Sequence, residues 1–209
     1  MQRKVDQTIK FPINELSQQL LRKRNVLIDE YVQIIERLYL AITKVSGKKV
    51  IVDATKWAIY GSLINRCKKV NVYNLHLVRD PRAVAFSWEN SKIKPESETN
   101  EKMVKHGLVW SIAKWVESNL LLEWIGNKYG NYSLMKYEEL VQDPRSVIYQ
   151  SFRDMNMDLS PIDDINFDNL RWSFTYSMQG NPVRFNKGKL SLKKDERWSS
   201  KMNVFTKYT

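Results

Sequence analysis

LHLVRDPRAVAFSW, residues 75–88, runs from an apolar alternation into an arginine, an Asp-Pro pair and a helix-compatible stretch. The run up to Val78 suits a strand over 72–78. Asp80-Pro81 then starts a helix. The carboxylate accepts from free first-turn amides, and Pro81 takes the first helical position, where its missing N–H costs nothing. In an open parallel sheet, ligands lie beyond the carboxyl ends of strands, and Arg79 stands at such an end. Ser87 follows about two turns into the helix. A guanidinium binds two phosphate oxygens at once and a hydroxyl can complete the cradle, so Arg79 and Ser87 form a candidate anion-binding pair. Taken singly, Arg79 is equally open to an ordinary ion pair, and Ser87 to an exposed helix position.

The chain holds an internal control. VRDPRAV (78–84) and VQDPRSV (141–147) are near copies, and both predict a helix start. Asp-Pro-Arg is therefore local folding grammar. The flanks differ: Gln142 stands where the first copy has Arg79, and Gln150 where it has Ser87. The arginine–serine pair belongs to the first copy alone.

Outward from this stretch, residues 14–45 keep roughly helical apolar spacing, and Ser46-Gly47 supplies the stop. KKVIVDAT predicts a short buried strand at 49–53, followed by a helix around 57–67. SKIKPESETNEK reads as an exposed loop. A Trp-rich helix is predicted over 103–127, a third strand over 132–137, and a helix from Asp143-Pro144 to about 156. After Ser160 the pattern weakens until a short helical piece near 194–203. Strands alternating with helices imply a three-layer α/β architecture, a parallel sheet with flanking helices. Nothing divides the chain, so residues 1–209 read as a single domain.

The 209 residues, 43% of them hydrophobic, suffice for one domain with a core. A single cysteine, Cys67, excludes an internal disulfide framework and fits a reducing compartment or indifference to redox. No apolar run approaches the roughly 20 residues that span a bilayer, and the first residues lack a signal-peptide core, so the chain alone points to the cytoplasm. The net charge of +11 favours an anionic partner or, equally, a solvated lysine-rich surface. Between Arg184 and Lys207, eight Lys/Arg face two acids, which places +6 of that charge in the tail.

Taken in order, these segments resemble the PAPS-dependent sulfotransferase family, of the bacterial or carbohydrate type. VIVDATK (50–56) is similar to the family's strand with a Val-Asp-Ser-Ser-Lys-like end. LHLVRDPRAVAFSW resembles the motif in which an Arg and a Ser grip the donor's 3′-phosphate. LMKYEELVQDPRSVI (134–148) resembles an Arg-Tyr-Glu-Asp-Leu-like segment. GNPVRFNKGKLSLKKDERW (180–198) resembles the C-terminal basic loop over the nucleotide. One departure stands out. The family's loop for the 5′-phosphosulfate, which follows the first strand, has no counterpart. SGKK (46–49) precedes a strand and is better read as a helix stop. The resemblance therefore implies a P-loop-NTPase-like sulfotransferase fold whose first strand and phosphate loop are missing, some 30–40 residues judged by roughly typical strand–loop–helix lengths.

By the same resemblance, the chain transfers a sulfuryl group from PAPS to a hydroxyl or amine of a small-molecule or carbohydrate acceptor and leaves PAP. Arg79 and Ser87 would anchor the donor, and Arg184, Lys187 and Gly188 would bind the same phosphate or close over the nucleotide, glycine allowing close backbone approach. At the end of the 49–53 strand, Lys56 could stabilise the bridging oxygen and Asp53 could accept a proton, although Asp53 is also placed to cap the next helix. His76 reads as a satisfied core residue and His106 as a surface residue able to line an acceptor site. Trp110, Trp115, Trp124 and Trp172 could stack on an acceptor, though helically spaced tryptophans are more often core. Two histidines and one cysteine, widely separated, make no metal set. Two other readings stay open. One is an inactive remnant that binds PAP. The other is a basic nucleic-acid-binding protein, for which the chain carries no known motif, so no nucleic-acid partner is expected.

Overall fold

The computed structural model describes residues 26–54, 57–89, 104–172 and 188–201. These fall into two compact units. The first comprises the chain through Asn74 together with Leu120–Tyr132, and the second Leu75–Asn119 together with residues from Ser133 onward.

In the first unit, helix α1 (Val26–Ser46) buries Ile28, Val32, Ile35 and Tyr39, spaced by four, three and four residues along one face. Its β-branched residues are helix formers weaker than alanine by up to about 0.7 kcal/mol each. Full burial of an Ile or Val returns about 1.5–3 kcal/mol, so packing and not propensity sustains this helix. The face meets Leu63 and Cys67 from the region of α2 (Ala58–Ile64), with Ile51, Tyr60 and Val70 around them. Asp29 pairs with Arg66, and Glu36 accepts the backbone N–H groups of Lys68 and Lys69. Gly47, at φ +67°, closes α1 by donating its N–H to the Thr43 carbonyl at 2.9 Å. That left-handed stop is what Ser46-Gly47 predicts.

The strand expected at 49–53 does not form. Residues 50–54 carry no regular hydrogen-bonded structure. The alternation is real, since Ile51 packs on the core while Val50 and Val52 are exposed. A strand also needs a neighbour for its N–H and C=O groups, and no described strand pairs with this segment.

Most of strands β1 (Asn74–Val78) and β2 (Tyr132–Lys136) belongs to the second unit, and the two pair into a small parallel sheet. Helices α3 (Pro81–Glu89) and α4 (Leu108–Tyr129) connect them. The expected sheet of three strands is thus reduced to two among the described residues. His76 is buried in β1 and hydrogen-bonded to Asn119 Oδ1 at 2.7 Å, the satisfied core role its position implies. Ser133 and Met135 are the buried face of β2. After β2, α5 (Tyr137–Gln142) packs on α6 (Pro144–Asp154). Then come α7 (Ser160–Asp163), a short antiparallel pair of β3 (Arg171–Trp172) with β4 (Gly188–Lys189), and α8 (Arg197–Lys201), which packs on α3.

Both Asp-Pro copies start helices. Asp80 Oδ1 accepts the Arg82 N–H at 2.8 Å, and Asp143 Oδ1 accepts the Ser146 N–H at 3.1 Å. The Arg82 side chain also grips Asp80, at 3.0 and 2.7 Å, and holds its carboxyl below the usual carboxylate range.

Candidate functional site

Arg79 follows β1 directly, and its backbone is held from both sides. Its carbonyl accepts the Trp115 indole N–H at 3.0 Å, and the next amide, of Asp80, donates to Glu138 Oε1 at 3.2 Å. The guanidinium carbon lies 4.7 Å from the centre of the Tyr137 ring. Tyr137 and Glu138 open α5, so the segment after β2 builds the seat for the residue after β1.

The guanidinium itself is half used. Its Nη2 stands 3.2 Å from Asp195 Oδ2 and 3.5 Å from the Asp195 carbonyl. Its Nε is buried and, among the described residues, has no hydrogen-bond partner. A buried donor left unpaired costs about 1–3 kcal/mol. A ligand with several anionic oxygens, a phosphate above all, fits that unfilled donor and its neighbour together.

Asp195 has a second and better partner. Arg197 donates to it through Nε at 2.7 Å and Nη2 at 2.8 Å. Arg197 first, and Arg79 after it, hold the Asp195 carboxyl well below the ordinary range. Next along the chain, Trp198 lies under Arg82, whose guanidinium carbon is 4.4 Å from the ring centre, and this stacking joins α8 to α3. Ser87 sits half-buried on α3, the same helix.

The control copy looks different. Gln150, at the position matching Ser87, donates to Asp154 within α6 at 2.7 Å. A cavity of about 490 Å³ opens beside the second Asp-Pro, but Asp143, Asp163, Asp164 and Asp168 outnumber Arg145 in its lining. Such a wall repels a phosphate. This void and the anion chemistry lie apart, since neither Arg79 nor Ser87 lines it.

Of the remaining candidates, Lys56, Arg184 and Lys187 lie outside the described residues. Gly188 opens β4 at φ +94°, and a Cβ there would meet nothing within 4 Å among the described residues. The positive φ itself favours glycine at that place. Asp53 belongs to the first unit, where it accepts the Tyr39 hydroxyl at 2.5 Å, and Tyr39 also meets Tyr60 at 3.2 Å. Asp53 does not cap the helix after it. Trp57 stands at the N-cap of α2 and provides no side-chain cap. His106 stacks on Trp110 with ring centres 3.9 Å apart and meets the edge of Trp88. Among the described residues, no group of three His, Cys, Asp or Glu could hold a metal ion, and no helix is long and apolar enough to cross a membrane.

A family model described as the sulfotransferase domain matches residues 29–207. The chain belongs to the sulfotransferase family. No curated protein and no solved structure matches this sulfotransferase. The match takes in β1, α3 and α8, and so the whole Arg79 surround of this sulfotransferase. Sequence reasoning missed Glu138 and Asp195, and it singled out Trp115 for another task, stacking on an acceptor or packing in the core, instead of holding the Arg79 carbonyl. Segment 134–148 carried a signal for Glu138, since its resemblance to a family motif marked it without giving it a task. Segment 180–198 carried the same kind of signal for Asp195, marked by resemblance without a task of its own.

Proposed function

We propose that this sulfotransferase moves a sulfuryl group from PAPS to a hydroxyl or amine of a small-molecule or carbohydrate acceptor and releases PAP. One observation carries the reading: Arg79, clamped at the strand end, keeps a buried donor unfilled among the described residues. Arg79 and Ser87 would hold the donor's 3′-phosphate, with Arg184, Lys187 and Gly188 closing over the nucleotide. PAPS supplies the sulfuryl group and its leaving phosphate. The protein's task is positioning and charge stabilisation, as in phosphoryl transfer. Asp53, as proton acceptor, and Lys56, at the bridging oxygen, complete the proposal.

The nucleic-acid reading gains nothing. In the described tail, Lys194 pairs with Glu196 and Arg197 with Asp195, so these charges are committed locally.

Calorimetric titration of PAP into the protein and into Arg79→Ala tests the site. Loss of a charge-assisted contact worth about 2–3 kcal/mol weakens binding roughly 30- to 150-fold. Folded protein that does not bind PAP overturns the reading. PAP binding without transfer from PAPS to any of a panel of sugars and amines supports the inactive remnant instead.

A further inference from the structure

We infer that Asp195 is an internal anion that occupies the Arg79 guanidinium between donor molecules, so that a nucleotide's 3′-phosphate must take its place and the product's departure is assisted by its return. The inference rests on the donor reading above and adds to it a residue that sets how tightly the nucleotide is held.

Three observations carry it. First, the contact is partial. Asp195 reaches Arg79 only through Nη2, at 3.2 Å, while Nε stays buried and unpartnered among the described residues. A phosphate offers more oxygens and more charge than a carboxylate and can fill both donors, so it wins the exchange. Second, the carboxylate has somewhere to go. Its fork is already matched by Arg197, at 2.7 and 2.8 Å, so leaving Arg79 strands no charge. Third, the exchange needs no large motion. Asp195 stands just ahead of α8, and the stacking of Arg82 on Trp198 that joins α8 to α3 is a contact separate from the Arg79–Asp195 pair. Held ionised by its two arginines, Asp195 competes throughout the neutral range.

The contact is a partly exposed ion pair, with 23% and 26% of the two side chains accessible. Asp195→Asn keeps the shape and removes the competing charge. Such a pair sets the scale, so the variant binds PAP about two- to fivefold more tightly, through slower dissociation. AMP, which has no 3′-phosphate, binds both proteins alike. Arg197→Gln frees Asp195 for Arg79 and weakens PAP binding, and it has no effect when Asp195 is already Asn.

Calorimetry and stopped-flow dissociation of PAP, on the whole chain and on Arg79→Ala, Asp195→Asn, Arg197→Gln and the double variant, decide the matter. If Arg79→Ala weakens PAP binding while Asp195→Asn leaves it unchanged or weaker, the inference falls and the donor reading stands. If Arg197→Gln weakens binding equally in both backgrounds, Arg197 touches the nucleotide itself and the competition is overturned. If the folded protein binds no PAP, both readings fall.

Discussion

Asp195 stands between two arginines, forked by Arg197 at 2.7 and 2.8 Å and touched by Arg79 at 3.2 Å. Its carboxyl is held well below the ordinary range, chiefly by Arg197. A carboxylate whose folded pKa is depressed stabilises the fold above its unfolded value, near about 4, and loses that contribution as pH falls through the folded value. Asp195→Asn is therefore less stable than the parent by about 1 kcal/mol at neutral pH. The gap persists to about pH 4 and closes below it. Urea midpoints of both proteins between pH 7 and about pH 2 check this.

Tyr39 gives the opposite limb. Burial first, then the bond to Asp53, pushes its pKa far above that of a free phenol. The folded protein keeps this proton where the unfolded chain gives it up, from about pH 10 upward. Its contribution is complete below that pH and is lost as pH rises beyond it. Tyr39→Phe lowers neutral stability by about 1–2 kcal/mol and flattens the alkaline decline. Phenolate absorbance, followed with denaturation across pH 8 to about pH 12, shows whether Tyr39 ionises only on unfolding.

Gly126 lies in α4, and an added Cβ would stand 2.5 Å from Tyr132 Cγ. Alanine gains about 0.8–1.0 kcal/mol in helix propensity. Overpacking against a ring fixed at its root costs about 1–3 kcal/mol. The clash wins, and Gly126→Ala unfolds at lower urea than the parent. A midpoint equal to or above the parent's would show that the ring gives way freely.

Trp115→Phe removes the indole N–H from the Arg79 carbonyl and leaves most of the ring. The loss is about 1 kcal/mol in stability. Loosening the seat of Arg79 also weakens PAP binding, whereas Trp124→Phe on the same helix, whose ring meets Lys128, leaves that affinity alone. Paired calorimetry and denaturation separate the two effects.

What could be read along the chain, and what could not, follows from the range of each interaction. Asp80 and Asp143 satisfy amides two or three residues away, so their helices were readable from one dipeptide. Gly47 closes α1 over a single turn and was equally plain. Residues 50–54 misled because alternation reports which side chains face inward, while a strand depends on a partner elsewhere in the chain. Asp53 likewise has a short-range reading, as a cap, that lost to a hydroxyl 14 positions back. The Arg79–Asp195 contact joins residues 116 apart. In a tail where basic residues dominate, nothing local distinguishes that one acid. The resemblance reached Arg79 and Ser87 because both fall inside one contiguous motif.

The grip on Arg79 has a practical corollary. Trp115 and Glu138 hold the peptide at this position through its carbonyl and the following amide, and neither bond depends on which side chain residue 79 carries. The strand end therefore works as a socket. Lysine, glutamine or alanine seated there inherits the same backbone placement, so a series of substitutions at this one site reports on ligand chemistry with little distortion from folding.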